Sequence, residues 1–219
     1  MTGPEFVEEI NAALWQVLGV RDVELSRVGE SVSRADMPQL LRGALRNEME
    51  ASEIAARWMP QTEEIEAKLA FARQAGDEAR HYGLISTRLG ELGIDLTGFS
   101  PTAGGYSKLF HYLDRLNTTV ERIAAAQFTR EAIGYKSNEL FIAFCQAAGD
   151  RATAEMYRTQ IQPDEMHHHE WGKRLLAALA RGEAEQAAAR KAMLTTLDLA
   201  EEGRNLAAGR LLVETLPGC

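Results

Sequence analysis

Asp77-Glu78-Ala79-Arg80-His81-Tyr82-Gly83 and Asp164-Glu165-Met166-His167-His168-His169-Glu170-Trp171-Gly172 repeat one pattern: an acid pair, then a histidine three residues after the glutamate. On a helix, residues three apart leave the same face one turn apart, so the glutamate and histidine of each segment can close on a single cation. The chain has 5 histidines, and only His111 lies outside these segments. Each segment therefore reads as half of a site. His167 and His169 leave the helix about 100° to either side of His168, where one could support the ligands from behind, but exposed polar residues are the commoner reading. His111 is given no role.

The sequence around both segments is helical in period. From Asp36 to Met59, apolar residues recur every three or four positions (Met37, Leu40, Leu41, Leu45, Met49, Ile54, Trp58), the spacing that gives a helix one buried face. Pro60 is expected to open the next helix, where a missing N–H costs little. That helix continues through Ile65, Leu69, Phe71, Leu84, Ile85 and Leu89 to Gly90 and Gly93. So short a break makes the two helices antiparallel neighbours. The Gly-, Pro-, Thr- and Ser-rich stretch from Gly93 to Gly105 opens a longer connection, with a short helix near Ser107 to Leu116. A third long helix is expected over Thr118 to Ala148 and a fourth over Asp150 to Arg181, kinked or restarted at Pro163. A further helix over Glu183 to Leu212 and an N-terminal amphipathic one (Phe6, Ile10, Leu14, Val17) complete the reading. No run alternates β-branched residues over a usable length.

Two Glu-x-x-His units supply two carboxylates and two imidazoles. Two divalent cations carry four positive charges, so a neutral buried cluster needs two more carboxylates, from the other two helices. Glu48, Glu50 and Glu53 are available on the first, and Glu121, Glu131 and Glu139 on the third. Antiparallel partners meet at one height only if they are similarly spaced about their turns. Glu48 lies 30 residues before Glu78, and Glu131 lies 34 before Glu165, intervals that suit arms of about 22 Å at 1.5 Å per residue. Glu48 and Glu131 are chosen on that ground, with Glu50 and Glu53 kept as competitors to Glu48. Glu131 sits among Ile123, Phe128 and Ile133, where a carboxylate needs a cation to pair it. Tyr135 and Tyr157 fall on the same face as candidates to line a pocket or relay electrons, although core packing is the commoner fate of such tyrosines.

With those residues in view, Glu48-Met49-Glu50-Ala51-Ser52 resembles the E-L-x-A-S segment of ferritins, and both D-E-x-x-H segments resemble those of bacterioferritins and rubrerythrins. The order Glu, E-x-x-H, Glu, E-x-x-H runs from Glu48 to His168, more than half the chain. The resemblance implies an all-α, ferritin-like four-helix bundle of two antiparallel pairs with a long crossover, here with added N- and C-terminal helices. It implies that Glu131 and a glutamate of the first long helix bridge or cap two metal ions. It also implies that Asp77 and Asp164 accept the ring N–H of the ligand histidines and so fix the metal-binding tautomer. Two departures matter. Ferritins and bacterioferritins end soon after the fourth helix, whereas this chain continues, which argues against a hollow cage. Rubrerythrins carry a paired C-x-x-C module, and the 2 cysteines here, Cys145 and Cys219, form none. They read as a buried core thiol and a terminal passenger. In both respects the chain is more similar to the oxygen-activating branch of that superfamily, such as the aldehyde-deformylating, phenylacetyl-CoA-type and tRNA-hydroxylase-type di-iron enzymes.

Composition limits the alternatives. With 45% hydrophobic residues, the 219-residue chain can bury one core. It is read as one domain over 1–219, with an N-terminal helix and loop (1–30), a metal-binding bundle (36–181) and a C-terminal helix (183–214). A net charge of −8 offers no basic stripe for nucleic acid, and no apolar run approaches a membrane span. Met1 to Ile10 carries glutamates instead of a basic and then apolar leader, so the expected location is the cytoplasm.

Mixed carboxylate and imidazole ligation suits Fe, Mn or Zn, and a carboxylate-rich site favours the redox metals. Two iron ions are the first choice, with manganese or a mixed Mn/Fe pair as alternatives. The expected function is that of a di-iron oxidase or oxygenase: it activates dioxygen to oxidise a small, apolar organic substrate, with electrons from an external donor. A ferroxidase or peroxide scavenger, a di-manganese catalase and a non-enzymatic helical scaffold remain rival readings. A homodimer through a bundle face is compatible with the sequence.

Overall fold

The computed structural model describes residues 1–26 and 37–211, the side chains of 21–26 and 207–211 excepted. Asp36, the loop expected before it, the end of the last helix beyond 211 and Cys219 lie outside the described residues. Those described are helical with no strand. None of their helices is long and apolar enough to cross a membrane.

Helix α1 spans Gly3–Ser26. It buries Phe6, Ile10, Leu14 and Leu18, while Val17 is exposed. The expected Val17 is replaced by Leu18 because steps of four keep the stripe on one side of a helix. Helix α2 (Met37–Gln61) and α3 (Ile65–Glu91) form the first antiparallel pair, with the Ser52 hydroxyl donating to the carbonyl of Ala75 at 2.8 Å. Pro60 lies in the last turn of α2 and does not open α3. At that position its missing N–H forfeits one bond near the helix end. The Thr62 hydroxyl then donates to the Trp58 carbonyl at 2.9 Å, occupying one of the acceptors the last turn exposes. At the far end, Gly93 takes φ 79° and Ile94 N–H returns to Leu89 O at 3.0 Å, a left-handed stop that suits glycine.

The crossover carries the chain back along the bundle through α4 (Lys108–Leu113), which Ser107 caps. It begins where Arg88 pairs with Asp150 at 2.9 Å and ends where Thr119 donates to Glu64 at 2.6 Å. The third stretch is α5 (Thr119–Ile123), a π-helical segment (Ala124–Arg130) and α6 (Glu131–Ala147). The fourth is α7 (Arg151–Met156), a second π segment (Tyr157–Ile161) and α8 (Gln162–Leu179). Helix α9 (Glu183–Leu211) packs back across the first π segment.

The two π segments have different causes. Pro163 cannot bond the carbonyl of Thr159 and its ring crowds that carbonyl, so the chain widens beforehand and restarts with the proline in the first turn of α8. In the first segment the Thr129 hydroxyl donates to the carbonyl of Ala124, five residues back, at 2.7 Å. Gly172 of α8 rests on this segment so closely that a Cβ would lie 2.7 Å from Phe128 N and 2.8 Å from Gln127 C. Only a residue without Cβ permits that approach.

The apolar core is in two parts. Ile54, Trp58, Phe71 and Phe128 belong to the part at the α2–α3 turn, and Leu41, Leu45, Ile85 and Phe141 to the other. Between them the bundle carries a polar layer.

Candidate metal centre

That layer is built by Glu48 of α2, Glu78 and His81 of α3, Glu131 at the start of α6, and Glu165 and His168 of α8, each at most 3% exposed. Two overlapping groups result: Glu48, Glu78, His81 and Glu165 form one, and Glu78, Glu131 and His168 the other, with the ligand atoms of each within 4.8 Å of one another. His81 Nδ1 is 3.1 Å from Glu78 Oε2, 3.5 Å from Glu48 Oε2 and 3.8 Å from Glu165 Oε1. His168 Nδ1 is 3.1 Å from Glu131 Oε2 and 3.6 Å from Glu78 Oε1. Of the glutamates first named for the α2 position, Glu50 turns instead to Arg46 and Ser107, and Glu53 accepts from the Tyr106 hydroxyl. Glu48 and Glu131 each belong to one group, and the residue common to both is Glu78, which the resemblance did not single out.

Both histidines present Nδ1 to the cluster and Nε2 outward. His81 Nε2 meets Asp164 Oδ2 at 3.2 Å, and His168 Nε2 meets Asp77 Oδ2 at 3.1 Å. The straps are crossed, the aspartate of each segment serving the histidine of the other. In the neutral imidazole, Nε2–H donating to a carboxylate leaves Nδ1 as the lone-pair nitrogen, the form that can bind a metal. Arg73 and Arg80 hold the aspartates in turn from the surface. Burial raises Asp77, but the hydrogen bonds from His168 and Arg73 prevail and hold its carboxyl at about 2.

The electrostatics record an excess of buried negative charge. Burial pushes Glu48, Glu131 and Glu165 above the usual carboxylate range. Burial alone would also raise Glu78, yet the hydrogen bond from His81 and the charges of both histidines hold it low. Burial disfavours the imidazolium of His81 and His168, but the carboxylates around them raise both. Such a layer is neutralised either by protons on imidazoles and glutamates or by cations in their place. Glu48 Oε1 and Glu78 Oε1 are buried without a hydrogen-bond partner, a costly condition that a bound cation relieves. The donor set and these two oxygens fit a metal.

Tyr157, on the second π segment, is fully buried with its hydroxyl unpartnered. Burial raises its phenol well above the usual range, with the charges of Glu48, Cys145 and Glu165 adding to the shift. Tyr135 is half-buried and faces α1, its ring edge-on to Trp15 at 6.2 Å, away from the candidate pocket. His169 is not exposed as expected but 1% accessible, its Nδ1–H donating to the Phe128 carbonyl at 2.6 Å and Nε2 meeting the Asn11 side chain at 3.1 Å. The flank that would face solvent in a bare four-helix bundle is covered here by α1. Sequence reasoning also missed Gln74, whose Nε2–H donates to Glu131 Oε1 at 2.6 Å, and the fully buried Gln127. Each precedes a cluster glutamate by four residues, a same-face spacing that could have revealed them.

Fold and site together define an all-helical protein with a buried carboxylate–histidine cluster able to hold metal. The chain belongs to the family described as Protein of unknown function (DUF455), whose model matches residues 27–204, a span that contains every residue of the cluster. No curated protein and no solved structure matches it.

Proposed function

We propose that this protein is a ferritin-like di-iron oxidase or oxygenase that uses dioxygen and an external electron donor to oxidise a small organic molecule. The observation that carries the reading is the pair of overlapping ligand groups sharing Glu78. Four carboxylates match the charge of two divalent ions when both imidazoles bind as neutral ligands. Carboxylate-rich ligation with one nitrogen per group favours a redox metal, iron first and manganese second. When bound, a pair of iron ions supplies the electrons and the open coordination that dioxygen reduction requires.

The chain's own residues do the rest. Asp77 and Asp164 orient the imidazoles, and Gln74 holds one oxygen of Glu131, leaving the other for His168 and a metal. The apolar layers above and below exclude water, which strengthens every charge interaction between them.

The test is anaerobic loading with ferrous iron, elemental analysis, and then exposure to air while absorption is followed. About two metals per chain and a transient visible band on oxygenation are expected. Loading below about one metal per two chains, or ferrous protein that oxygen leaves spectroscopically unchanged, overturns the reading.

A further inference from the structure

The crossover, α2, the third helical stretch and α9 bound a cavity of about 520 Å³, within the roughly 300–1,000 Å³ of small-molecule sites. Leu109, Phe110, Leu113, Ile133 and Leu199 give it an apolar wall. Phe110 and Leu113 are continuous with the core behind them, and Leu206, also of the wall, stands 52% exposed. Apolar surface of this kind gains free energy when an apolar molecule displaces the water against it.

The charged groups of the wall do not call for a charged ligand, because they are already engaged. Arg46 donates to Glu50 at 3.0 Å and to the Gly105 carbonyl at 2.8 Å, and Lys108 pairs with Glu202. Glu50 also accepts from Ser107 N–H at 2.9 Å and from the Ser107 hydroxyl. Arg130 donates to the Asn47 carbonyl at 2.8 Å, and Arg204 has a partner of its own. A carboxylate or an ammonium entering the cavity would give up its water to meet charges committed elsewhere. A neutral molecule leaves those bonds as they are.

The cavity also adjoins the cluster. Asn47 and Arg130, both in its wall, are the chain neighbours of Glu48 and Glu131, and their bond ties together the two turns that carry those carboxylates. Successive helical residues diverge by about 100°, so these turns show the cluster one face and the cavity another.

We propose that this cavity binds a neutral, predominantly apolar small molecule, and that the molecule so held is the organic substrate of the metal centre. The second clause rests on the function proposed above; the first stands without it.

The test titrates octanol, octanoate and octylammonium calorimetrically into the full chain, both metal-free and metal-loaded. Octanol binds one per chain. The two ions, alike in length, each bind at least about tenfold more weakly, a part of what an uncompensated charge costs. A Cβ at Gly203, in the wall, meets nothing within 4 Å, so Gly203→Phe fills the cavity without disturbing the chain and removes octanol binding, whereas Gly203→Ala retains it. Circular dichroism checks that both variants fold. Either ion binding as tightly as octanol, or undiminished octanol binding to folded Gly203→Phe, overturns the cavity assignment. A chain that loads two metals but does not bind octanol overturns the cavity and leaves the metal centre standing. Octanol binding to a chain that takes no metal overturns the second clause together with the function it rests on, and leaves the cavity standing. With manganese(II) in the cluster, the protons of bound octanol relax faster than with zinc(II), and Gly203→Phe abolishes the difference; equal relaxation with the two metals overturns the second clause.

Discussion

Glu78 contributes oxygens to both ligand groups and Glu131 to one, so replacing each by glutamine separates a two-ion cluster from a single-ion one. A ligand that binds only the folded chain stabilises it by RT ln(1 + [L]/Kd), about 2.7 kcal/mol at a hundredfold excess over Kd. Two sites give about 5 kcal/mol, and at roughly 2–4 °C per kcal/mol for a chain of this size the melting temperature rises by about 10–20 °C. Manganese(II) under anaerobic conditions is a suitable probe because it loads without oxidation. In Glu131→Gln one group keeps all its ligands and about half the shift survives. In Glu78→Gln both groups lose a carboxylate and nearly all of it disappears. The substitutions preserve volume but take a carboxylate away from buried histidines, so each variant's shift is measured against its own metal-free form. Scanning calorimetry with elemental analysis reads the result. If Glu131→Gln loses the whole shift, or Glu78→Gln retains it, the shared-glutamate geometry is wrong.

Three further outcomes follow from the same contacts. Because carboxylates surround His81 and His168 and raise both, metal uptake at pH 7 must displace their protons, so about two or more should be released per loaded chain and apparent affinity should fall as pH drops; titrations in buffers of different ionisation enthalpy count them, and zero release refutes the charge balance. Asp77→Ala removes the acceptor that fixes the His168 tautomer, and metal affinity should fall about 10–100-fold in competition with a coloured chelator. Gly172→Ala drives a methyl into the backbone of Gln127 and Phe128, which should cost about 1–3 kcal/mol and be visible in chemical denaturation of the metal-free chain.

The long helices and the cluster were readable in the sequence for a common reason. A helical stripe is a statement about residue type at fixed spacing, and so are two Glu-x-x-His units and two carboxylates at matched intervals. Glu48 could be preferred to Glu50 and Glu53 because height in an antiparallel pair follows from residue count. Pro60 was placed on the wrong helix since a proline is tolerated both in the last turn of one helix and in the first of the next. The π segment Ala124–Arg130 left no mark, because widening a turn changes which carbonyl a backbone N–H reaches and requires no particular side chain. His169 was misread for want of tertiary information: its partners on α1, Asn11 and Trp15, lie more than 150 residues earlier. Glu78 could not be named as the residue common to both groups because spacing alone does not fix side-chain rotamers.

The reciprocal bonds of Asp77 with His168 and of Asp164 with His81 follow one antiparallel alignment, four positions along α3 answering four positions back along α8. Sliding or rolling either helix past the other breaks both fastenings together. The α3–α8 pair is therefore held at a single register by two bonds, while Glu48 and Glu131 reach the layer from α2 and from the first turn of α6, directly after a π segment.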